Sequence, residues 1–312
     1  MAKDKTKVSV VILTLNNCKL IEEELSLFKK LDTQGLIVDL VIIDNGSTDE
    51  TSKLLKNTSF KNINFKVITN TKNLGFATGN NQGINYSLKS KPDYILLLND
   101  DMVFETNFLN KLVNFANKNK EYSLISPKIY FAKGHEFHKG RYKENEKGKV
   151  IWYAGGTIDW DNIYTSHDGV DEVDKGQRNK LKETDVASGA CLLIRREVIE
   201  KIGGLDDNLF LYWEDAEYTQ RAKQNGFKAV YYPEVSLHHK VSIAAGGSGS
   251  PSNDYFLIRN RYYFSLKYAK SLRTKFAVFR DTIKLMFFGS TWQKIGARDG
   301  LLGLMGRGSW KK

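Results

Sequence analysis

The sequence predicts an α/β fold, with a mostly parallel central sheet flanked by helices and then a helical C-terminal extension. Three observations carry that expectation. Strand and helix signals alternate through the first 130 residues, as they do where parallel strands are joined by crossover helices. Polar or acidic residues close successive strand signals, namely Asn16, Asp44, Asn73 and the pair Asp100-Asp101. In an open α/β sheet such positions meet at one carboxyl edge, where ligands bind. The last 58 residues then change character and become basic and aromatic.

Val8–Leu15 is β-branched and apolar, the composition of a buried strand. Leu20–Leu31 repeats apolar residues at helical spacing, with Glu22, Glu23 and Glu24 early and Lys29-Lys30 late, the order a helix dipole favours. A second strand, Val38–Ile43, is broken by Asn45-Gly46-Ser47-Thr48-Asp49, where Ser47 or Thr48 can cap a helix through Leu54-Leu55. Phe65–Thr69 is a third strand. Asn73–Gly83 is a glycine- and asparagine-rich turn opening into a helix that ends near Leu88. Tyr94–Leu98 is a fourth strand, followed by a helix near Phe104–Leu112.

Lys133–Lys182 is charged and punctuated by glycine, with Trp152 and Trp160 inside it, and reads as strands and loops walling the crevice. Val186–Ile194 is strand-like, Val198–Ile202 a short helix, Ala216–Asn225 a helix stopped by Gly226, and Ala229–Tyr232 a strand. Ala244–Ser250 lacks core-forming residues and fits a lid over the crevice or a plain linker equally well.

Leu98-Asn99-Asp100-Asp101 is the most informative stretch. Ionised carboxylates at the end of a doubly buried strand are costly unless a cation or a hydrogen-bond partner meets them. Oxygen ligands on a rigid strand end suit Mg2+ or Mn2+, which in turn suits a diphosphate. The plainer alternative is that Asp100 or Asp101 only caps the next helix. Glu214-Asp215 opens a helix after Phe210-Leu211-Tyr212-Trp213. Both acids complement a helix N-terminus, and the apolar approach favours desolvation of at least one, as a general base requires. His238-His239 ends a strand, either as packed side chains or as a neutral imidazole for a metal. No G-x-G-x-x-G follows the first strand and there is no P-loop, so a nucleotide here needs a metal and side chains more than a glycine cradle.

At 312 residues, with 41% hydrophobic and 27% charged side chains, the chain is long enough for one large core or two modest ones. Cys18 and Cys191 form no framework and read as reduced thiols of a cytoplasmic protein. Val8–Leu15 lacks the cleavage site of a signal peptide, and no run reaches the roughly 18 apolar residues of a membrane span. The net charge of +11 is placed unevenly. Tyr255–Lys312 holds 13 Lys or Arg against Asp281 and Asp299, which leaves residues 1–254 neutral. Twelve aromatic residues interleave with those charges, from Tyr255 to Trp310. That mixture suits anionic lipid head groups, or a helical pair packing its aromatics inward, with nucleic acid the least favoured partner.

The ordered motifs resemble glycosyltransferase family 2, in particular its rhamnosyltransferase-like members. They are Val10-Val11-Ile12-Leu13-Thr14-Leu15-Asn16, Ile43-Asp44-Asn45-Gly46-Ser47-Thr48-Asp49, Asn73-Leu74-Gly75-Phe76-Ala77 with Gly79-Asn80-Asn81, and Leu98-Asn99-Asp100-Asp101. Ser188-Gly189-Ala190, Gly203-Gly204-Leu205-Asp206, Leu211-Tyr212-Trp213-Glu214-Asp215 and His239-Lys240-Val241-Ser242 continue the series. Each motif is weak alone, but eight in order from about Val8 to about Tyr263 are specific.

The resemblance implies a GT-A fold, Rossmann-like with a mixed, mostly parallel sheet. It implies a catalytic domain over 1–254, with a nucleotide-sugar half to about 130 and an acceptor-facing half beyond, and a separate extension over 255–312. It further implies inverting transfer from a nucleotide-diphosphate sugar to a glycan or lipid-linked glycan, at the inner face of the cell membrane. Asp44 would bind the base with Thr14 and Asn16, while Asn73, Asn80, Asn99 and Asp100 would meet the nucleotide. Asp101 and His239 would hold Mg2+ or Mn2+, with His239 rather than His238 matching the motif. Asp215 would be the general base, with Glu214 and Trp213 supporting the acceptor. Asn99 replaces the first acid of the usual Asp-any-Asp motif, leaving one strong carboxylate for the metal. A nucleotidyltransferase and a non-catalytic nucleotide-sugar or polyanion binder are the alternatives. The first would want a basic, glycine-rich loop where Asn16-Asn17-Cys18 stands.

Overall fold

The computed structural model describes residues 5–138, 140–241 and 250–310. Ala244–Gly249 of the possible lid therefore lies outside the described residues. The first half runs β1 (Thr6–Thr14), α1 (Cys18–Phe28), β2 (Leu36–Asp44), α2 (Thr51–Lys56), β3 (Asn64–Thr69), α3 (Phe76–Leu88), β4 (Tyr94–Asn99), β5 (Met102–Phe104) and α4 (Phe108–Lys118). The wall region gives β6 (Tyr122–Phe131), β7 (Ile151–Tyr153), β8 (Gly156–Asp159), β9 (Tyr164–His167) and β10 (Lys182–Glu183). Next come β11 (Cys191–Arg195), α5 (Arg196–Ile202), α6 (Glu214–Gln224) and β12 (Lys228–His239). The chain finishes with α7 (Pro251–Tyr268), α8 (Leu272–Phe288) and α9 (Thr291–Leu301).

One mixed sheet orders its strands β10-β12-β6-β11-β4-β1-β2-β3, with β5 added to β12 and β7 to β6. Strands β1 to β4 pair in parallel, β11 runs antiparallel to both β4 and β6, and β12 lies parallel to β6. The expected mixed, mostly parallel α/β architecture with C-terminal helices is what the chain forms.

Strand alternation divides the core. Val8, Val10 and Ile12 face α1 and α4, against Ile21, Leu25, Phe28 and Leu112. Val11 faces the other way, toward Ala77, Ile84 and Tyr218 of α3 and α6. All four β1 residues are fully buried, each contributing about 1.5–3 kcal/mol of transfer free energy. Gly79 and Gly83 let α3 ride close on β1, since a Cβ at either would lie 2.4 Å from Leu13 or Val11 side-chain carbon.

Three boundaries differ from the sequence expectation. Asp100-Asp101 form a tight turn into β5, and the next helix starts only at Phe108 behind Asn107, so neither acid caps it. The strand expected from Val186 begins at Cys191, because Ser188-Gly189-Ala190 turns out toward α6. The strand expected over Ala229–Tyr232 continues to His239. Its register slips between Tyr232 and Ser236, where Pro233 cannot donate to a ladder and a bulge absorbs it. Helix α7 runs through residues 254 and 255.

Candidate active site

Register alone brings the first half of the site together. Thr14 pairs with Asp44, Asp44 with Thr69, and Leu13 with Asn99, so the carboxyl ends of β1 to β4 lie side by side. Polar cross-links fix the loops that leave this edge. Asn16 takes a left-handed backbone, accepts from the Thr48 amide at 2.7 Å, and donates its own amide to Ser47 Oγ. Asp44 is fully buried, accepting from the Ser47 amide at 2.9 Å and from the Ser52 hydroxyl. Asn45 donates to Asn73 Oδ1 and to the Gly75 carbonyl, while Asn73 also accepts from the Gly75 amide. Asn80 is buried and donates to the Phe76 carbonyl within α3. Asn45 is the residue of this group that sequence reasoning passed over.

A cleft of about 470 Å3 opens beside that edge. Asn99, Asp100, Asp101, Trp213, Glu214, Asp215 and His239 all line it. Thr14, Asn16, Asp44, Asn73 and Asn80 are not in its lining: Thr14 and Asp44 close neighbouring strands, Asn16 and Asn73 lie in the loops beyond β1 and β3, and Asn80 is within α3. The alternation of β12 separates its two histidines. His239 Nε2 lies 2.9 Å from Asp101 Oδ1 and 3.5 Å from Asn99 Nδ2. His238 faces away and donates to the Gly148 carbonyl at 3.1 Å beside Tyr130.

A carboxylate and an imidazole converging on one point form a donor set that divalent ions of the Mn2+ type accept. His239 Nδ1 is buried without a partner, leaving the ring orientation to be set from the Nε2 side. No cluster of three His, Cys, Asp or Glu able to hold a metal occurs among the described residues. The pair therefore fits an ion that also takes oxygen ligands from a bound diphosphate.

Electrostatics around the cleft are unusual. Burial and the Asp101 charge push the Asp100 carboxyl up to about 7, against the Thr14 hydroxyl and Asn17 amide that favour its ionised form. Burial and the same two aspartates hold Glu24 of α1 well above the usual carboxylate range. Burial, and then Asp215, raise Glu214 to about 8, a protonated carboxylic acid at neutral pH. Burial also raises Asp215, while His167 and the backbone amides of Ala216 and Gly189 pull it back. Those amides stand 2.7 Å and 3.4 Å from its oxygens. Desolvated yet supported on one side, Asp215 has the environment of a general base.

The loop delivering Asp215 is strained and clamped. Tyr212 and Trp213 both adopt left-handed backbone, at φ 65° and 74°, costly for bulky side chains. The Asn260 side chain of α7 holds the loop in place, donating to the Leu211 and Tyr212 carbonyls at 2.8 Å each. The Phe76 amide donates to the Phe210 carbonyl from the opposite side. Glu217, fully buried on α6, accepts from Lys267 and Tyr268 of α7 as well as from Arg221. Asn253 and Leu257 of α7 line the cleft directly.

His167 lines the cleft too, and sequence reasoning did not single it out. Its Nδ1 donates to the Trp152 carbonyl at 3.1 Å, leaving Nε2 as the ring's acceptor. Burial holds it below the usual imidazole range, hence neutral. Trp152 lies edge-on to both His167 and His239, 4.6 Å from each ring. The signal available was the short alternation Tyr164-Thr165-Ser166-His167 paired with Gly156–Asp159.

The fold and the acid-lined edge define a GT-A glycosyltransferase. Residues 9–203 match the family model "Glycosyl transferase family 2", and the chain belongs to that family. It is 26% identical over 230 residues to a low-salt glycan biosynthesis hexosyltransferase of Haloferax volcanii, covering 73% of this chain and 67% of that one. It is 24% identical to an N-acetylglucosaminyl-diphospho-decaprenol L-rhamnosyltransferase of Mycobacterium tuberculosis, over 65% of this chain and 67% of the other. Among solved structures it is similar to a mannosyltransferase from Pyrobaculum calidifontis in complex with GDP-Man and Mn2+. That likeness has TM-score 0.56 and 16% identity, over 96% of this chain and 75% of that one. GalNAc-T7 with UDP, GalNAc and Mn2+ is matched at TM-score 0.60 and 18% identity, over 88% of this chain and 54% of that one.

Proposed function

We propose that this glycosyltransferase moves a sugar, with inversion, from a nucleoside-diphosphate donor to a hydroxyl of a lipid-linked or cell-surface glycan. The observation that carries this reading is that Asp215 and the Asp101–His239 pair line one cleft. Thr14, Asn16, Asp44, Asn73 and Asn80 serve the nucleotide from beside the cleft, with Asn99 and Asp100 in its lining. The donor class in this reading is a deoxythymidine-diphosphate rhamnose or a uridine-diphosphate hexose; the relatives named above are a hexosyltransferase and a rhamnosyltransferase.

Asp215 accepts the proton of the acceptor hydroxyl as that oxygen attacks the anomeric carbon. The bond from that carbon to the diphosphate oxygen breaks on the opposite face, and its electron pair leaves with the nucleoside diphosphate. A single displacement inverts the configuration. Glu214, holding its proton, adds no second negative charge beside Asp215. Trp213 supplies an apolar floor for a sugar ring. Asp101 and His239 would hold Mg2+ or Mn2+, which supplies positive charge for the leaving diphosphate.

The acceptor's lipid gives residues 255–312 a reason to be basic and aromatic, and we place the protein at the inner membrane face, bound peripherally. No helix among the described residues is long and apolar enough to cross a membrane. Incubation with Mn2+ or Mg2+ and a panel of nucleotide sugars tests the reaction. Release of nucleoside diphosphate from one donor class is expected, and release from none would end the proposal.

A further inference from the structure

Helix α8 is amphipathic in the wrong direction for a helix of a soluble core. Its buried stripe is Thr274, Val278 and Thr282, one residue per turn. Its outward stripe is Leu272, Phe276, Phe279 and Phe287, repeating four, three and eight residues apart, with half-buried Ile283 between. Leu272 is 84% exposed, Phe276 65% and Phe287 61%. Phe288, at the end of the helix, is 83% exposed. Arg273, Arg280 and Lys284 stand exposed along one border of the stripe.

The rest of the extension behaves differently. Tyr255, Phe256 and Phe264 of α7 are fully buried, and Trp292 packs on Trp310 at 4.5 Å. Arg259 is buried over the Tyr255 and Phe256 rings and donates to the Gly306 carbonyl. Arg261 donates to the Asn162 and Ile163 carbonyls. Those basic and aromatic side chains are consumed inside the protein, whereas the α8 set is turned outward.

We infer that α8 is an in-plane membrane anchor, seating Leu272, Phe276, Phe279 and Phe287 at the headgroup–acyl boundary of an anionic bilayer. Arg273, Arg280 and Lys284 meet the lipid phosphates along its border. Exposed aromatics flanked by cations on one helix are the pattern that binds such interfaces, by apolar burial and by attraction to anionic lipid together. The inference builds on the proposed lipid contact of residues 255–312 and assigns it to one helix face. Helix α7, whose Asn253 and Leu257 line the cleft, adjoins α8, so the anchor holds the cleft near a lipid-linked acceptor.

The full chain is centrifuged with phosphatidylcholine vesicles, with and without phosphatidylglycerol. Binding to the anionic vesicles is expected, and it should weaken more than about tenfold in Phe276→Glu/Phe279→Glu. Arg273→Gln/Arg280→Gln/Lys284→Gln should lose most of the salt-sensitive part of binding. In the chain carrying Phe279→Trp, emission should shift to the blue and be quenched by brominated lipid. Undiminished binding by the double Glu variant overturns the assignment. So does a lipid-free dimer that this variant abolishes, because the face then belongs to a second copy. Nucleoside-diphosphate release from a donor sugar is measured in parallel without vesicles and should persist in every α8 variant. Its absence from the unmodified chain would speak against the proposed reaction while leaving the lipid result standing.

Discussion

His239 Nε2 lies 2.9 Å from Asp101 Oδ1, joining the last residue of β12 to the turn that follows β4. No group of three His, Cys, Asp or Glu able to hold a metal occurs among the described residues, so an ion at this pair would draw its further ligands from the bound donor. In Asp101→Ala or His239→Ala, Mn2+-dependent binding of the nucleoside diphosphate should weaken at least about tenfold by calorimetry. Binding without metal should change little. His238→Ala, whose ring faces Gly148, should leave the metal dependence intact.

Asp215→Asn keeps the shape of the site and removes the proposed proton acceptor. Turnover should fall about 10²–10⁴-fold, while donor affinity stays within about twofold. Steady-state rates together with nucleotide titration separate the two.

Glu214 gives stability a pH dependence of defined sign. Its folded carboxyl is raised to about 8, above the unfolded value, so the native state keeps a proton that the unfolded chain releases. The contribution is fully present below the ordinary glutamate range and is lost as pH rises through about 8. Thermal unfolding across that window should show a falling melting temperature, and Glu214→Gln should flatten the fall.

Asn260→Leu removes both hydrogen bonds that hold the Leu211 and Tyr212 carbonyls. Two orphaned carbonyls cost about 1–3 kcal/mol each, enough to lower the melting temperature by several degrees. Turnover should fall with it, because the same loop positions Asp215.

Much of the first half of the chain was legible in the sequence because buried parallel strands write themselves as unbroken apolar runs, and their ends as single polar residues. Val8–Leu15, Val38–Ile43 and Tyr94–Leu98 are of that kind. The region from β6 onward was harder for particular reasons. Strand β6 carries Pro127 and Lys128 at its centre, which breaks the apolar run. Lys128 is tolerated there because Asp174 and Asn179 receive its ammonium at 2.7 Å and 2.5 Å, partners drawn from a distant loop. His167 sits on a four-residue strand whose one pairing strand among the described residues is equally short. The role of α7 in clamping the loop before Asp215 is a tertiary fact, since nothing about Asn260 in sequence points to Tyr212.

The position of Trp152 gives the cleft a built-in optical reporter. Its indole lies edge-on to His167 and His239 at once, so a paramagnetic ion held as proposed at His239, or a proton on His167, would quench the same emission. In a chain whose four other tryptophans are replaced by Phe, occupancy of the proposed site should therefore be readable from the light this side chain gives back, before any sugar has moved.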